Sequence, residues 1–233
     1  MHRTIVNTAD GSVTVAIPEL KVTYHSHHGA VQESVHVFIQ AGLQYALSKT
    51  FQNPFAVLEM GFGTGLNALL TLMKAEQLQQ PMVYTAVERY PLQPQEWQGL
   101  DYDALLPGTK AVLHQLHQAA WNTPVAINSL FTLQKEKEDF LIFDTNQRFH
   151  LVYFDAFAPA AQPQLWSVQM FQKLFNLLLP GGVLVTYCSK GAVRRAMQAA
   201  GFTVTKLPGP PGKREMVRAE AGAVDSISLA GDC

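Results

Sequence analysis

The stretch Glu59-Met-Gly61-Phe-Gly63-Thr-Gly65-Leu-Asn67 decides the fold. The short apolar run 55–60 before it indicates a buried strand, and the apolar spacing from Leu66 to about Gln79 indicates a helix. Glycines between a strand and a helix let the backbone turn sharply, and they let a ligand approach without a Cβ in the way. The sequence therefore predicts a ligand site at this strand-to-helix turn.

The same alternation of strands and helices continues along the rest of the chain. The pattern predicts strands over 82–88, 149–155, 183–187, 202–207 and 215–219, helices over 33–47, 165–178 and 192–200, and a mostly helical segment over 92–122. This order predicts an α/β fold with right-handed crossovers and a mostly parallel sheet that has a final antiparallel strand. Ligands bind such a sheet where its strands end.

The chain divides into three predicted parts. Side chains alternate in character over 12–17, Pro18-Glu19 interrupts the pattern, and it resumes over 20–24. Residues 1–30 are therefore predicted to form a small N-terminal β-ribbon. Residues 31–220 are predicted to form the main domain, and 221–233 a flexible C-terminal tail.

The composition sets the class of protein. The chain has 233 residues, of which 48% are hydrophobic and 15% charged, as in a globular protein with a substantial core. Its two cysteines, Cys188 and Cys233, make no disulfide framework. The polar N-terminal residues form neither a signal peptide nor a membrane anchor. A cytoplasmic location without membrane association is therefore predicted.

The thiols and the histidines predict no chemistry of their own. Cys188 lacks the Pro-Cys context of a cytosine-methylating nucleophile, which indicates an ordinary strand-end thiol. The histidines near the N-terminus lack an acid or a cysteine pair at zinc-ligand spacing, so no metal site is predicted. These histidines are His25, His27, His28 and His36.

The glycine pattern separates two cofactor classes. A nicotinamide fold requires Gly-x-Gly-x-x-Gly, and Leu66 occupies the place of its third glycine. Here that glycine comes one residue early, and the acid Glu59 precedes the first. The pattern resembles the first motif of Rossmann-like class I S-adenosylmethionine-dependent methyltransferases, in which the loop lies against the methionine portion of the ligand. The cofactor candidates in this motif are Glu59, Gly61, Gly63, Thr64, Gly65 and Asn67.

Two further acids are candidates for contact with the nucleoside. Glu88 ends the second strand, 23 residues past Gly65, and a carboxylate there matches two vicinal ribose hydroxyls. Asp139 is predicted to hold the adenine amino group, and Asp144 is close enough in sequence to compete with it.

The third clear strand delivers Asp155-Ala-Phe157-Ala-Pro159, the predicted reaction site. An acid, an aromatic residue and a proline at this strand end are typical of amine-directed methyltransferases. A carboxylate can accept an N–H, orient the nitrogen lone pair and take a proton from an ammonium. The ring of Phe157 can stack on a base or lie beside a cation. Asp155, Phe157 and Pro159 are therefore the catalytic candidates.

The whole set of motifs resembles one family, the methyltransferases that complete 5-methylaminomethyl-2-thiouridine at the tRNA wobble position (the MnmC/MnmD type). The resemblance covers about 20–219. Besides the glycine motif, it rests on Glu33-Ser-Val-His-Val-Phe-Ile-Gln-Ala-Gly-Leu43, Phe154-Asp-Ala-Phe-Ala-Pro159, Gln162-Pro-Gln-Leu-Trp166, Gly191-Ala-Val-Arg-Arg195 and Gly212-Lys-Arg-Glu-Met216.

The resemblance implies N-methylation of a 5-aminomethyl group with S-adenosyl-L-methionine as methyl donor, and it places Asp155 next to the substrate amine. Many bacterial members carry a fused FAD-dependent oxidase domain. This chain is expected to be the stand-alone methyltransferase, which receives its substrate from a separate oxidase or another supplier. No obligate protein partner is inferred.

The resemblance also gives a role to a basic stretch near the C-terminus, residues 190–218. This stretch holds 7 of the 17 Lys and Arg residues of the chain and a single acid, Glu215. Clustered cations can bind phosphates although the net charge is −1. The anticodon region of tRNA is the partner that the resemblance implies. The substrate-binding candidates are Arg194, Arg195, Lys213, Arg214, Tyr187 and Lys190.

Three alternatives remain open on the sequence. An aminopropyltransferase shares the fold but gives no reason for Lys213-Arg214. A non-catalytic RNA-binding module on the same fold would have a damaged loop, and here the glycines, Glu59 and Asp155 are all present. A nicotinamide oxidoreductase is disfavoured by Leu66.

Overall fold

The N-terminal part is a three-stranded antiparallel ribbon in the computed structural model, which describes residues 2–49 and 53–222. Its strands are β1 (Thr4–Asn7), β2 (Val13–Ile17) and β3 (Val22–Thr23). Strand β2 lies in the middle and is joined to β3 by a 3₁₀ turn, Pro18–Leu20. The predicted ribbon is confirmed.

A long helical segment follows the ribbon. Helix α1 (Ala30–Ser34) continues through a π-helical segment (Val35–Gln44) into α2 (Tyr45–Leu47). The remaining helices connect the strands of the main sheet. They are α3 (Leu66–Leu78), α4 (Pro94–Trp97), α5 (Lys110–Gln118), α6 (Val168–Leu177) and α7 (Gly191–Ala199), with a 3₁₀ turn at Pro163–Trp166.

The main sheet has eight described strands. These are β4 (Phe55–Met60), β5 (Met82–Val87), β6 (Pro124–Asn128), β7 (Phe131–Glu136), β8 (Phe149–Phe154), β9 (Leu178–Thr186), β10 (Thr203–Pro208) and β11 (Glu215–Glu220). Their order is β10-β11-β9-β8-β4-β5-β7-β6.

The pairing of the strands confirms the predicted fold class. The five central strands, β9, β8, β4, β5 and β7, are parallel to one another. The last strand, β11, is antiparallel to β9 and to β10, and β6 is antiparallel to β7. The carboxyl ends of the central strands therefore lie at one edge of the sheet, which is where the ligand site was predicted.

The hydrophobic core lies on both faces of this sheet. In β4, Val57 belongs to the cluster under α3 and the π-helical segment, whereas Leu58 belongs to the cluster under α6 and α7. All six residues of β4 and all six of β8 are buried, as expected for central parallel strands covered on both faces. None of the described helices combines the length and the apolar character that crossing a membrane requires.

The sequence prediction was wrong between β5 and β8. The segment 92–122 was expected to be mostly helical, but it contains only the short helices α4 and α5. The hairpin of β6 and β7 was not predicted. In β7 the inward positions are Phe131, Leu133 and Lys135, and the lysine breaks the apolar alternation that marks a strand.

Lys135 is fully buried, although lysine side chains are almost always exposed unless they are paired. Its Nζ donates to the carbonyl oxygens of Leu116 (2.9 Å) and His117 (2.7 Å) at the end of α5. It also lies 4.5 Å from the ring centroid of Trp121. Burial lowers the pKa of Lys135 to about 8, and the carbonyl groups at the helix end stabilise the remaining charge.

The predicted flexible tail at 221–233 falls almost entirely on residues 223–233, which lie outside the described residues. Cys233 lies there too, whereas Cys188 is buried directly after β9.

Candidate active site

A cavity of about 320 Å³ opens where β4, β5 and β8 end. Its size is within the usual range for a small-molecule site. Seven of the eight predicted cofactor residues line it: Glu59, Gly61, Gly63, Thr64, Asn67, Glu88 and Asp139. We call it the first cavity.

The glycine loop, residues 61–65, forms one wall of the first cavity. Gly61 has φ +90°, Gly63 φ +50° and Gly65 φ +75°, a region that L-residues rarely enter. A Cβ on Gly61 would lie 3.9 Å from the Asp155 carbonyl oxygen and 4.0 Å from Glu88 Oε2, within the concave space between these groups. The loop is thus shaped to let a ligand approach the backbone.

Gly65 is the one predicted cofactor residue that does not line the cavity. A Cβ at this position would lie 3.1 Å from Phe62 Cζ, 3.2 Å from His117 Nε2 and 3.3 Å from Leu113 Cδ1. The His117 ring in turn bonds the Thr64 carbonyl oxygen (2.9 Å). Gly65 therefore packs the glycine loop against α5, and its contact with the cofactor stays a prediction.

We expect Gly65→Ala to destabilise the fold by about 2–4 kcal/mol, because left-handed backbone strain adds to steric overlap. Gly108→Ala is the matched control: its φ is +78°, but a Cβ there would meet nothing within 4 Å. The control should lose only about 1 kcal/mol. Thermal unfolding measures both, at about 2–4 °C per kcal/mol for a chain of this size. Equal shifts for the two variants would contradict the packing role.

Glu88 is fixed by the backbone on both of its oxygens. Gly63 N donates to Oε2 (3.2 Å), and Tyr90 N donates to Oε1 (2.7 Å). These bonds hold the carboxylate at the end of β5, where it faces the first cavity. The geometry suits an acceptor for ligand hydroxyls.

Asp139 also faces the first cavity, whereas its competitor Asp144 is exposed and does not line it. One Asp139 oxygen pairs with Arg89, and the other accepts the Leu141 N–H (3.0 Å). The structure thus places Asp139, of the two acids, at the site. Its contact with adenine stays a prediction.

An amide joins two acids that line the first cavity. Asn67 Nδ2 donates to Glu59 Oε1 (2.9 Å) and to Asp155 Oδ2 (3.0 Å). Burial raises the pKa of Glu59 well above its usual range, and the neighbouring charges of Asp155 and Glu88 add to this effect. Burial also raises the pKa of Asp155 to about 7, followed by the charge of Glu33, while Asn67 and Lys213 act in the opposite direction.

The segment after β8, residues 155–162, is held by residues that the sequence analysis treated only as part of the resemblance. Phe157 N donates to Gln162 Oε1 (2.9 Å), and Trp166 Nε1 donates to the Phe157 carbonyl oxygen (2.8 Å). The Tyr187 hydroxyl donates to the Ala156 carbonyl oxygen (2.9 Å). The Gln-Pro-x-Leu-Trp motif therefore fixes the backbone that carries Asp155 and Phe157.

Pro159, the third predicted catalytic residue, lies in the turn that follows Asp155 and Phe157. It lies in the turn in which Ala161 N and Gln162 N both donate to the Ala158 carbonyl oxygen, and it lines neither of the cavities described here. Proline favours the second position of such a turn because its φ is already set. Pro159 therefore shapes the loop, whereas Asp155 and Phe157 line the first cavity.

The N-terminal ribbon covers the site, which the sequence did not indicate. The Tyr24 ring lies on the glycine loop, since a Cβ on Gly63 would be 2.8 Å from its Cδ1, and it meets the Phe157 ring edge-on at 5.3 Å. Arg3 anchors the ribbon by donating to the Tyr90 carbonyl oxygen (2.7 Å) and to Glu96 (3.2 Å).

A second cavity of about 210 Å³ adjoins the first, and four residues line both: Tyr24, His25, Ala156 and Phe157. Its other walls include Glu33, Tyr187 and Lys213. Lys213 pairs with Glu33, and its Nζ lies 3.8 Å from the Tyr187 ring centroid. Lys213 and Tyr187 are thus part of the site, and their contact with the substrate stays a prediction.

The other predicted substrate-binding cations lie on the surface. Lys190, Arg195 and Arg214 are exposed, and Arg194 is half-buried with its Nε donating to the Ser189 carbonyl oxygen (3.2 Å). Hydrogen bonding from Lys206 lowers the pKa of Glu215, and the charges of Arg214 and Arg194 contribute, so both arginines lie on the side of the chain that carries Glu215. Within the described residues none of these four cations lines either cavity.

The first cavity fits S-adenosyl-L-methionine better than a dinucleotide. Besides Arg3 and Arg89, its walls carry the acids Glu59, Glu88 and Asp139, which can accept hydrogen bonds from hydroxyl and amino groups, whereas a pyrophosphate offers no such donors. Asn67 Oδ1 is buried and finds no hydrogen-bond partner among the described residues, so it is open to a donor on a ligand. Among those residues no group of three or more His, Cys, Asp or Glu side chains could hold a metal ion.

Comparison with known proteins gives one family match and several structural neighbours. Residues 112–222 match the family described as S-adenosyl-L-methionine-dependent methyltransferase. The crystal structure of MnmC2 from Aquifex aeolicus superposes with a TM-score of 0.78 at 23% sequence identity, over 95% of this chain and 71% of that one. This likeness shows that the two chains share a fold.

Two further structures resemble the chain more distantly. One is the S-adenosylmethionine-bound CalS10, an amino pentose methyltransferase from Micromonospora echinaspora (TM-score 0.46, 12% identity, 77% of this chain and 86% of that one). The other is the N-methyltransferase NodS from Bradyrhizobium japonicum in complex with S-adenosylhomocysteine (TM-score 0.43, 14% identity, 76% and 81%).

Proposed function

The chain is an S-adenosyl-L-methionine-dependent methyltransferase with an MnmC-type fold, and we propose that it N-methylates the 5-aminomethyl group of wobble uridine in tRNA. The product is 5-methylaminomethyl uridine, usually 2-thiolated. One observation carries the proposal: Asp155 lines the acidic first cavity and directly precedes Ala156 and Phe157, which line both cavities, so it lies next to their junction. An amine entering through the second cavity would reach the methyl donor beside this carboxylate.

Each part of the first cavity has a role in holding the methyl donor. Glu88 would accept hydrogen bonds from the ribose hydroxyls, and Asp139 would accept one from the adenine amino group. Glu59 and Asn67 would hold the methionine portion. When bound, S-adenosyl-L-methionine supplies a methyl group that is already activated by its sulfonium.

Asp155 and the side chains near it prepare the nitrogen of the substrate for attack by removing a proton from it. An aminomethyl group arrives mainly as an ammonium, which has no lone pair with which to attack. Asp155 Oδ2 is held by Asn67, so Oδ1 can accept one N–H proton, leaving a neutral amine and a protonated carboxyl. The rings of Phe157 and Tyr24 keep water from the junction and position the base.

The surface cations extend the site towards nucleic acid. We propose that Arg194, Arg195 and Arg214, with Lys190, bind phosphates of the anticodon stem. The enzyme would act in the cytoplasm, where its substrate is found. The aminomethyl uridine would come from a separate FAD-dependent oxidase or another supplier.

Arg194→Ala/Arg195→Ala/Arg214→Ala is expected to weaken tRNA binding and to reduce the slope of log K against log salt by about two to three, because each released phosphate contact contributes about 0.9. Filter binding between 50 and 250 mM salt measures this. The control Lys74→Ala/Lys110→Ala removes two charges from α3 and α5 and should keep the slope. An unchanged slope in the triple variant would place the tRNA surface elsewhere.

The decisive test is methyl transfer from labelled S-adenosyl-L-methionine to bulk tRNA from a strain that lacks this modification, followed by nucleoside mass analysis. Conversion of 5-aminomethyl to 5-methylaminomethyl uridine establishes the reaction and its substrate together. If the cofactor binds and no tRNA nucleoside is labelled, the tRNA proposal fails, and small amines become the next substrates to test.

A further inference from the structure

The second cavity contains an ion pair between a buried glutamate and a partly exposed lysine, which the proposed mechanism does not use. Glu33 is only 5% exposed, and its Oε2 accepts the Ser26 N–H (2.7 Å). Its Oε1 pairs with the Lys213 ammonium. A buried carboxylate requires a partner for its charge, and the Lys213 ammonium supplies that partner.

The Lys213 ammonium occupies a place suited to another ammonium. It is bonded to a carboxylate and lies against the face of Tyr187, 3.8 Å from the ring centroid. A carboxylate combined with an aromatic face is how proteins recognise alkylammonium ligands. Tyr24 and Phe157 supply further aromatic wall, which suits a planar base carrying the ammonium on a short arm.

Glu33 also lies close to the reaction site. Its charge is the second largest cause of the raised pKa of Asp155, after burial, while Lys213 acts in the opposite direction. Asp155 lines the first cavity and Glu33 lines the adjoining second cavity, so the two carboxylates are close enough to interact. His25 lines both cavities, but burial lowers its pKa to about 4, so at neutral pH it carries no charge that would compete with an ammonium.

We propose that Glu33 is a second carboxylate for the substrate ammonium and that Lys213 occupies its place until substrate displaces the lysine. The proposal rests on the proposed function, since it takes the substrate to be an aminomethyl-bearing base. The exchange replaces one ammonium by another, so no carboxylate is left buried without a partner. Lys213 belongs to the turn before β11, next to the exposed Arg214, and on release it can reach a phosphate of the same tRNA.

The test is calorimetric titration of 5-aminomethyluridine into the protein saturated with S-adenosylhomocysteine, so no turnover is needed. Lys213→Met removes the competing ammonium but keeps the length of the side chain. It is expected to bind the nucleoside about three- to tenfold more tightly, because the site no longer has to be vacated. Lys213→Arg retains the competing charge and should bind no more tightly than the wild type.

Glu33→Gln completes the set and is expected to weaken binding of the nucleoside about tenfold, because a charge-assisted hydrogen bond is lost. Affinity for S-adenosylhomocysteine and the thermal midpoint verify that each variant is folded. Unchanged or weaker binding by Lys213→Met would overturn the exchange, and unchanged binding by Glu33→Gln would overturn the role of the second carboxylate.

The outcomes also separate this inference from the proposed function. If the wild type methylates tRNA but Lys213→Met binds the nucleoside no more tightly, only the proposed exchange of Lys213 for the substrate ammonium is wrong. If the wild type leaves tRNA unmethylated and no variant binds the nucleoside, both the exchange and the proposed function are wrong.

Discussion

Asp155→Ala is expected to lower kcat by about 10²–10⁴-fold, the usual contribution of a positioned acid or base, while the Kd for S-adenosyl-L-methionine changes by less than about threefold. The loss follows from the place of Asp155 next to the junction of the two cavities. Without the carboxylate the substrate ammonium keeps its proton and has no lone pair to offer. Single-turnover methylation of tRNA and calorimetric binding of the cofactor measure the two quantities separately.

The cofactor site should survive this substitution because Asp155 contributes little to it. The only side-chain bond described for the Asp155 carboxylate is the one from Asn67, which also donates to Glu59. The backbone after β8 is held independently by Gln162, Trp166 and Tyr187. An equal loss of cofactor affinity in Asp155→Ala would contradict the assigned role.

Asp155→Asn separates orientation from proton transfer. The amide retains an oxygen that can accept an N–H, but it cannot take the proton. We expect it to bind substrate better than Asp155→Ala and to remain nearly as slow. The exposed Asp144 gives a matched control, because Asp144→Ala removes one acid from the neighbouring surface and should leave kcat unchanged.

The parts of the site that the sequence predicted are those determined by local structure. Glu59, Glu88 and Asp155 each stand at or just after the end of a buried strand, and parallel strands bring such ends to one edge. The glycine loop is likewise a local feature between β4 and α3. For these residues the periodicity of nearby apolar positions was sufficient.

The parts of the site that could not be predicted from the sequence depend on contacts between distant segments of the chain. Glu33 and Lys213 are 180 residues apart, and each has a plausible local interpretation: an acid in the first turn of a helix and a cation in a basic loop. Tyr24 meets Gly63 only because the ribbon folds over the sheet edge. Lys135 shows the same limit within the core, since its partners are carbonyl groups that no side-chain pattern reveals.

The activity is expected to have an acidic limb with a midpoint near pH 7, which follows from the raised pKa of Asp155. Burial is the main cause, and the charge of Glu33 adds to it. A raised carboxyl pKa means that the group is protonated at pH values where an exposed aspartate is ionised. A protonated Asp155 cannot accept the proton of an ammonium, so activity is present above the midpoint and is lost as the pH falls through it.

The size of the effect follows from the ionised fraction. About half of Asp155 is ionised at pH 7 and about one per cent at pH 5, so kcat/KM should fall about tenfold for each pH unit below the midpoint. Initial rates of tRNA methylation from pH 5 to 8 measure the limb. Thermal unfolding at each pH distinguishes it from acid denaturation.

Two variants test whether the titration of Asp155 causes the acidic limb of the pH profile. The residual activity of Asp155→Ala should lose the limb, because no carboxyl remains to titrate next to the junction. Glu33→Gln should shift the midpoint to lower pH, since removing the neighbouring negative charge removes one of the two causes that raise the pKa of Asp155. A wild-type midpoint near pH 4, or the same limb in Asp155→Ala, would show that the rate depends on a different group.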